Sequence, residues 1–274
     1  MGTYVFHSNN LKDRLADYAP RMNLDTSAMA ALYQQMLDAK VIEELPRRGL
    51  IRTFISYVDM EPLLSDPLQK HFYVLLRKEL PIARVFPSKK DLPGLLRDRW
   101  LRAWEQLYNI IINKIPLHWV RIAWLRAGGM KIGKGSSVWR NTEIIGIENI
   151  VIGDDSVVAW HCQLDGRVGL FIGDHVTLAS YVLMITDGHD PMSPDFSSYG
   201  YPLYVDNYAW IASRAIITNG AHIGEGAVVG AQCIVTKDLP PYAVVKGMDA
   251  TIVGERPRGL NYKVGGRSLF NFLH

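Results

Sequence analysis

Two cysteines, Cys162 and Cys233, are all that the 274 residues contain. Their separation matches no metal-ligand spacing, so neither a disulfide scaffold nor a thiolate metal site is expected, and a reducing compartment is implied. No apolar stretch reaches the roughly 18 to 20 residues needed to span a bilayer, and the polar start of the chain lacks the apolar core of an export signal. We therefore expect a cytoplasmic protein. Excess charge of one sign is scarce too: 30 Lys and Arg against 27 Asp and Glu leave +3. No zinc-finger, RRM or helix-turn-helix pattern accompanies that excess, which argues against a nucleic-acid partner. What the sequence does have is 48% hydrophobic residues, enough for a packed core in one large domain or two modest ones.

Two periodicities divide the chain. From about Leu24 to Arg126 apolar residues recur at helical spacing: Met29, Leu32, Met36 and Leu37 in one segment, and Leu96, Trp100, Trp104, Leu107 and Ile111 in another. Prolines from Pro46 to Pro116 cut this region into several mostly short helices, the longest expected between Pro93 and Pro116. At Gly128-Gly129 the period becomes six. Aliphatic residues stand at Ile132, Val138 and Ile144, at Ile152, Val158 and Leu164, and at Ile172, Leu178 and Met184. They resume at Val205, Ile211 and Ile217 and end with Ile223, Val229 and Val235. Small residues or Val follow four positions later in most hexads, and Gly directly follows the aliphatic residue at Gly133, Gly153, Gly173, Gly224 and Gly230.

Phase held over five triplets predicts a triangular solenoid, three short parallel strands per coil, each coil burying its inner face only against its neighbours. A two-residue corner bulge accounts for the first two coil-to-coil steps. A longer insertion leaves the solenoid between Ile172 and Val205. It carries Thr186-Asp187-Gly188-His189-Asp190-Pro191, and a long loop breaking a regular architecture is where function is expected. The fold class is thus α+β, with a helical region at 1–127, a parallel β-helix at 128–256 and a tail at 257–274.

The segment from Ile172 to Lys246 resembles the hexapeptide-repeat O-acetyltransferases of the galactoside, maltose and colanic-acid type. Three stretches carry the likeness: Gly188-His189-Asp190-Pro191, Ala209-Trp210-Ile211-Ala212-Ser213, and Ile234-Val235-Thr236-Lys237-Asp238-Leu239-Pro240-Pro241. The resemblance covers roughly residues 120 to 256. It implies a left-handed coil, against the right-handed rule for parallel crossovers, a homotrimer, and acetyl-CoA as acyl donor in a groove between subunits. It also implies that His189 is the general base, and that Ser213, Ala231, Thr236 and Lys237 contact the cofactor. A hydroxyl needs its proton removed before it attacks, and neutral imidazole suits that task. Oxyanion donors are expected among the backbone N–H groups near Ala212 or Ser213. After Pro241 the chain departs from the family: Gly247-Met248-Asp249-Ala250 replaces G-N-P-A, with Thr251 and Gly254 where arginines are often found, and Arg256 or Arg258 as substitutes.

The polar pair that galactoside and maltose enzymes present to their acceptors is replaced here by Ala159 and Arg167. This implies another acceptor, a saccharide or glycoconjugate precursor, met by Trp160, His161, Asp165 and Arg167. Between Lys89 and Arg126 lie eight Lys or Arg, three Asp or Glu and four tryptophans. Such a stretch can rest on an anionic membrane; the preferred reading packs the tryptophans against the first coil. Two other functions stay open: a zinc hydratase resembling γ-class carbonic anhydrases through His161, His175, His189 and His222, and a non-catalytic assembly module. No metal site is expected on the first reading.

Overall fold

The computed structural model describes residues 3–47, 49–82, 85–190, 196–255 and 258–259. Pro191 of the loop motif, Arg256, and the tail from 257 onward save Arg258 and Gly259 lie outside the described residues. The chain divides into two units, 1–99 with 188–200, and 100–187 with 201–274. The observed division therefore assigns residues 100–127 to the coil and gives the histidine loop to the N-terminal unit.

The N-terminal unit is mixed rather than purely helical. Strand β1 (Thr3–Ser8) is followed by helices α1 (Leu15–Met22) and α2 (Thr26–Asp38), strands β2 (Ile42–Arg47) and β3 (Leu50–Ser56), and helix α3 (Pro67–Glu79). Met29, Leu32 and Met36 of α2 are buried as their spacing predicts. Asp25 caps α2 through the Ala28 N–H at 2.7 Å, and Asp66 caps α3 through the Leu68 N–H at 2.7 Å. These strands were missed in the sequence because neither β2, with Pro46 and three charges, nor β3 alternates apolar and polar residues. β3 pairs antiparallel with both β1 and β2, and two loop strands, Asp187–His189 and Ser198–Gly200, complete a five-stranded sheet. Tyr199 stacks on Tyr4 at 5.6 Å and meets Phe54 edge-on at 5.0 Å, so the loop's second strand is packed as well as paired.

In the second unit helix α4 (Leu92–Ile110), whose last eleven residues belong here, and helix α5 (His118–Ala127) close the first coil. Glu105 accepts the Ile147 N–H at 3.0 Å, and Asn109 both donates to Ile144 O (2.7 Å) and accepts from Ile144 N (2.9 Å). Arg121, fully buried, donates to Val138 O at 3.3 Å. Trp104 and Trp124 stack at 3.8 Å. The helix from Pro93 onward is present, but its expected buried face is not the one used. Of the expected stripe only Trp104 packs on the core, while Leu96, Trp100, Leu107 and Ile111 are exposed and Glu105 and Tyr108 are buried; of the four tryptophans, Trp104 and Trp124 pack against the coil and Trp100 and Trp119 do not.

Five coils follow, each with one strand on each of three parallel faces. Ile132, Ile152, Ile172, Val205 and Ile223 stack in register on the first face, Val138 through Val229 on the second and Ile144 through Val235 on the third. All fifteen aliphatic positions of the hexads are buried. The small residues form the inner corners: Ser136 Oγ donates to Gly153 O (2.6 Å) and accepts from Ser156 N (2.9 Å), and Ser156 repeats this one coil on. The glycine after the aliphatic residue is there for close approach of coils. A Cβ on Gly153 would lie 2.6 Å from Gly173 C, and one on Gly133 would lie 2.4 Å from Gly153 C. The extra residues of the first two coils sit between the third and first faces, at 146–149 and 166–169, and the histidine loop leaves the third coil at the same corner. Ala243–Lys246 adds a sixth strand to the second face, and Thr251–Glu255 pairs antiparallel with it.

Candidate active site

Chemistry-bearing residues of the coil gather along two corners that flank its third face. Between the second and third faces, residues in the left-handed region repeat once per coil: Asn141, His161, Tyr181, Arg214 and Gln232. Side chains of this size rarely adopt positive φ, and here they stack on one another. His161 lies on Tyr181 at 4.8 Å with rings 4° from parallel, and the Arg214 guanidinium stands 4.9 Å from the Tyr181 ring centre. Trp160 is partly exposed against Trp139, ring centres 5.0 Å apart. Ser213 and Ala231 occupy consecutive rungs of this corner, tied by Gln232 N–H donating to Ser213 O at 3.0 Å. Ser213 is half-buried and Ala231 exposed. The N–H of Ala212 already donates to Val229 O at 2.8 Å, which removes it as an oxyanion donor.

Between the third and first faces the structure redirects two of the expected substrate contacts. Asp165 is 2% exposed, and both its oxygens are engaged: Oδ1 by Arg167 N and Nε (3.0 Å each), Oδ2 by Arg167 Nη2 (2.8 Å) and Thr186 N (3.1 Å). A carboxylate so committed has no lone pair left for a sugar. Arg167 spends its second Nη on Asp187 Oδ2 at 2.9 Å. It is thus a clamp between two carboxylates and not an open anion receptor. Thr236 and Lys237, both exposed, follow the third-face strand of the fifth coil on this side.

Two residues beyond Asp187, in the N-terminal unit, His189 is exposed. Its ring stacks on Phe196 at 4.3 Å and 3°, and Nδ1 lies 3.0 Å from Phe196 O. A carbonyl only accepts, so Nδ1 carries the proton and Nε2 keeps its lone pair. Asp190 N–H donates to Ser197 O at 2.9 Å. Phe196 had no motif to announce it, and Asp187, read in the sequence only as part of the insertion, gains a role through its bond to Arg167.

The cysteines are chemically quiet. Both are buried, and burial pushes the Cys162 thiol up to about 11. Among the described residues no three His, Cys, Asp or Glu side chains are placed to hold a metal ion. His161 is stacked on Tyr181, His175 is paired with Asp155 at 2.9 Å, and His222 with Asp206 at 2.9 Å. Among the described residues no helix is long and apolar enough to cross a membrane.

No family model matches the chain. Among curated proteins, WcaF of Escherichia coli K12, named for acetyl transfer in colanic acid biosynthesis, is 30% identical over 132 residues, 48% of this chain and 72% of that protein. The galactoside O-acetyltransferase of Escherichia coli K12 is 32% identical over 110 residues, 39% of this chain and 54% of that protein, so the match spans about half of its length. A solved maltose O-acetyltransferase from Clostridium difficile 630 superposes with a TM-score of 0.54 at 26% identity, covering 66% of this chain and 97% of that one.

Proposed function

The chain belongs to the hexapeptide-repeat acetyltransferases, and on that premise we propose that it moves an acetyl group from acetyl-CoA to a hydroxyl of a saccharide or glycoconjugate precursor, with His189 as general base. The observation that carries the reading is the tautomer of His189: with Nδ1–H given to Phe196 O, Nε2 on this exposed residue keeps its lone pair as a base. In the reaction Nε2 takes the hydroxyl proton while the oxygen attacks the thioester carbonyl. The tetrahedral intermediate then expels the CoA thiolate, and the proton on Nε2 neutralises it. A positioned base contributes roughly a hundred- to ten-thousand-fold.

Support for the cofactor side comes from the matched segments. Lys237 offers a cation to a nucleotide phosphate, with Thr236 beside it, and Ser213 and Ala231 line the neighbouring corner with the Ser213 N–H as oxyanion donor. We take the coil as left-handed and the assembly as a trimer, which sedimentation equilibrium should show as about three times 30.9 kDa. On the acceptor side Trp160 and His161 keep their roles, joined by Tyr181, whose stacked column suits a sugar ring. Asp165 and Arg167 serve the loop instead. Two unpaired, buried cysteines agree with a reducing cytoplasm.

The test is His189→Ala assayed by free thiol release with acetyl-CoA and a panel of saccharides and nucleotide-linked sugars. A folded variant should lose at least a hundred-fold in turnover. Unchanged turnover would sink the reading.

A further inference from the structure

Helix α4 carries a second surface that the acyl-transfer reading does not use. Leu92, Leu96, Trp100 and Leu107 recur at steps of 4, 4 and 7, which places them on one side of the helix, and Ile111 follows directly after its last residue. All are exposed, Trp100 at 71% and Leu92 at 64%, with Ile110 at 62% beside them. Unpartnered large side chains over five turns make a contiguous apolar stripe, which a surface facing water does not normally carry.

The charges around the stripe are sorted by sign. Lys89, Lys90, Arg97, Arg99 and Lys114 are exposed. Two of the three acids of the same stretch are withdrawn: Asp98 is 7% exposed and Glu105 is 3% exposed and holds Ile147 N, while Asp91, half-buried before the first turn, accepts the Gly94 N–H at 2.9 Å. The helix therefore presents to its surroundings an apolar stripe with an exposed Trp and flanks on which the fully exposed charges are cationic. A protein groove lined with acids would answer the charges, but a helix with this combination matches an anionic bilayer face on both counts. The indole and leucines enter the headgroup boundary while the long cationic stems reach lipid phosphates.

We propose that α4 docks the protein on the surface of an anionic membrane, lying in the plane of the headgroups rather than crossing the bilayer. The inference does not rest on acyl transfer, since it is read by binding alone.

The experiment is co-sedimentation of the full-length protein with vesicles of phosphatidylcholine alone or mixed with an equal part of phosphatidylglycerol. Binding to the mixed vesicles should be at least tenfold tighter than to phosphatidylcholine alone and should fall at least tenfold at about 0.5 M salt, where charges are screened within a few ångströms. The double substitution Leu96→Ser, Trp100→Ser should remove most of the binding while sedimentation mass and melting temperature stay unchanged. Absence of binding to the anionic vesicles overturns the proposal. So does a double variant that binds vesicles as well as the parent, or one whose mass falls while the parent shows no vesicle affinity, because the stripe is then a contact between copies.

Discussion

Arg167→Ala separates two roles that a single arginine near an acceptor site could have. In the structure its guanidinium holds Asp165 through Nε and Nη2 and Asp187 through Nη1. Removing it leaves Asp165 buried with the N–H groups of residue 167 and Thr186 as its remaining donors. Hydrogen bonds to charged groups are worth about 1.5–3 kcal/mol each in buried settings. Arg167 is 44% exposed as a side chain, so water screens part of this. A loss of about 2 kcal/mol in unfolding free energy is expected for the pair of carboxylates together. The catalytic effect is larger than the structural one implies, because Asp187 is the last residue of the coil before the loop carrying His189. A base displaced by about 1 Å costs roughly a hundred-fold. The variant should therefore show kcat down about a hundred-fold, with KM for acetyl-CoA and for the acceptor within about two-fold of the parent. Arg167→Lys, which lacks the fork that bridges two carboxylates, should fall between. Asp187→Asn should lower kcat in the same direction, and combining it with Arg167→Ala should add little further. Thiol-release kinetics over both substrates supplies the measurement. If the acceptor KM rises while kcat at saturation holds, Arg167 touches substrate and the clamp argument is wrong.

Two further perturbations test the scaffold. Gly153→Ala places a methyl 2.6 Å from Gly173 C and 2.2 Å from Asp174 Oδ1; it should cost about 2 to 3 kcal/mol in urea unfolding, and a neutral result would show that the coils separate more readily than their ladder suggests. Acid should loosen the N-terminal unit through His7, whose imidazole is held below its ordinary 6.5 by burial despite Glu79 at 3.5 Å. The native form binds fewer protons than the unfolded chain there, so this stability is complete above pH 6.5 and declines as pH falls below it. Glu79 adds a lower step: burial works to raise its carboxyl, but the Tyr18 hydrogen bond, Arg21 and His7 hold it below 4.5, and its contribution is lost beneath that value. Melting temperatures from about pH 8 to about pH 5.5 should slope less for His7→Gln than for the parent, His118 keeping part of the slope because its burial, with Arg121 and Arg126 nearby, also holds it low. Identical slopes would remove His7 from the argument.

The coil was legible because its constraint is repetitive. Each coil must present an aliphatic side chain to the axis, a small one to the corner and a glycine where backbones touch, so five copies of one weak signal reinforce one another. Helix α4 misled for the opposite reason. Its buried face carries Glu105 and Asn109, which spend their polarity on Ile147 and Ile144, and its most regular apolar stripe points outward. Periodicity reports amphipathicity and not which face is covered. At the site, His189 stood out by lying where the phase breaks. For Asp165 and Arg167 the sequence shows charge but not its partner: the carboxylates that hold Arg167 are 2 and 20 residues away.

The splicing of Ser198–Gly200 into the N-terminal sheet bears on how the chain is made. β1 meets β3 on one side and this late strand on the other, Val5 pairing with both Ile55 and Gly200. During synthesis the first partner follows within some fifty residues, whereas the second comes nearly two hundred residues later. At about 5–20 residues per second the wait between the first partner and the second is about 7 to 30 s. For that interval a young N-terminal unit holds an open strand edge, the kind that recruits neighbouring chains. A nascent chain stalled in the third coil would keep that edge indefinitely, so completion of the N-terminal sheet doubles as a record that translation has passed the histidine loop.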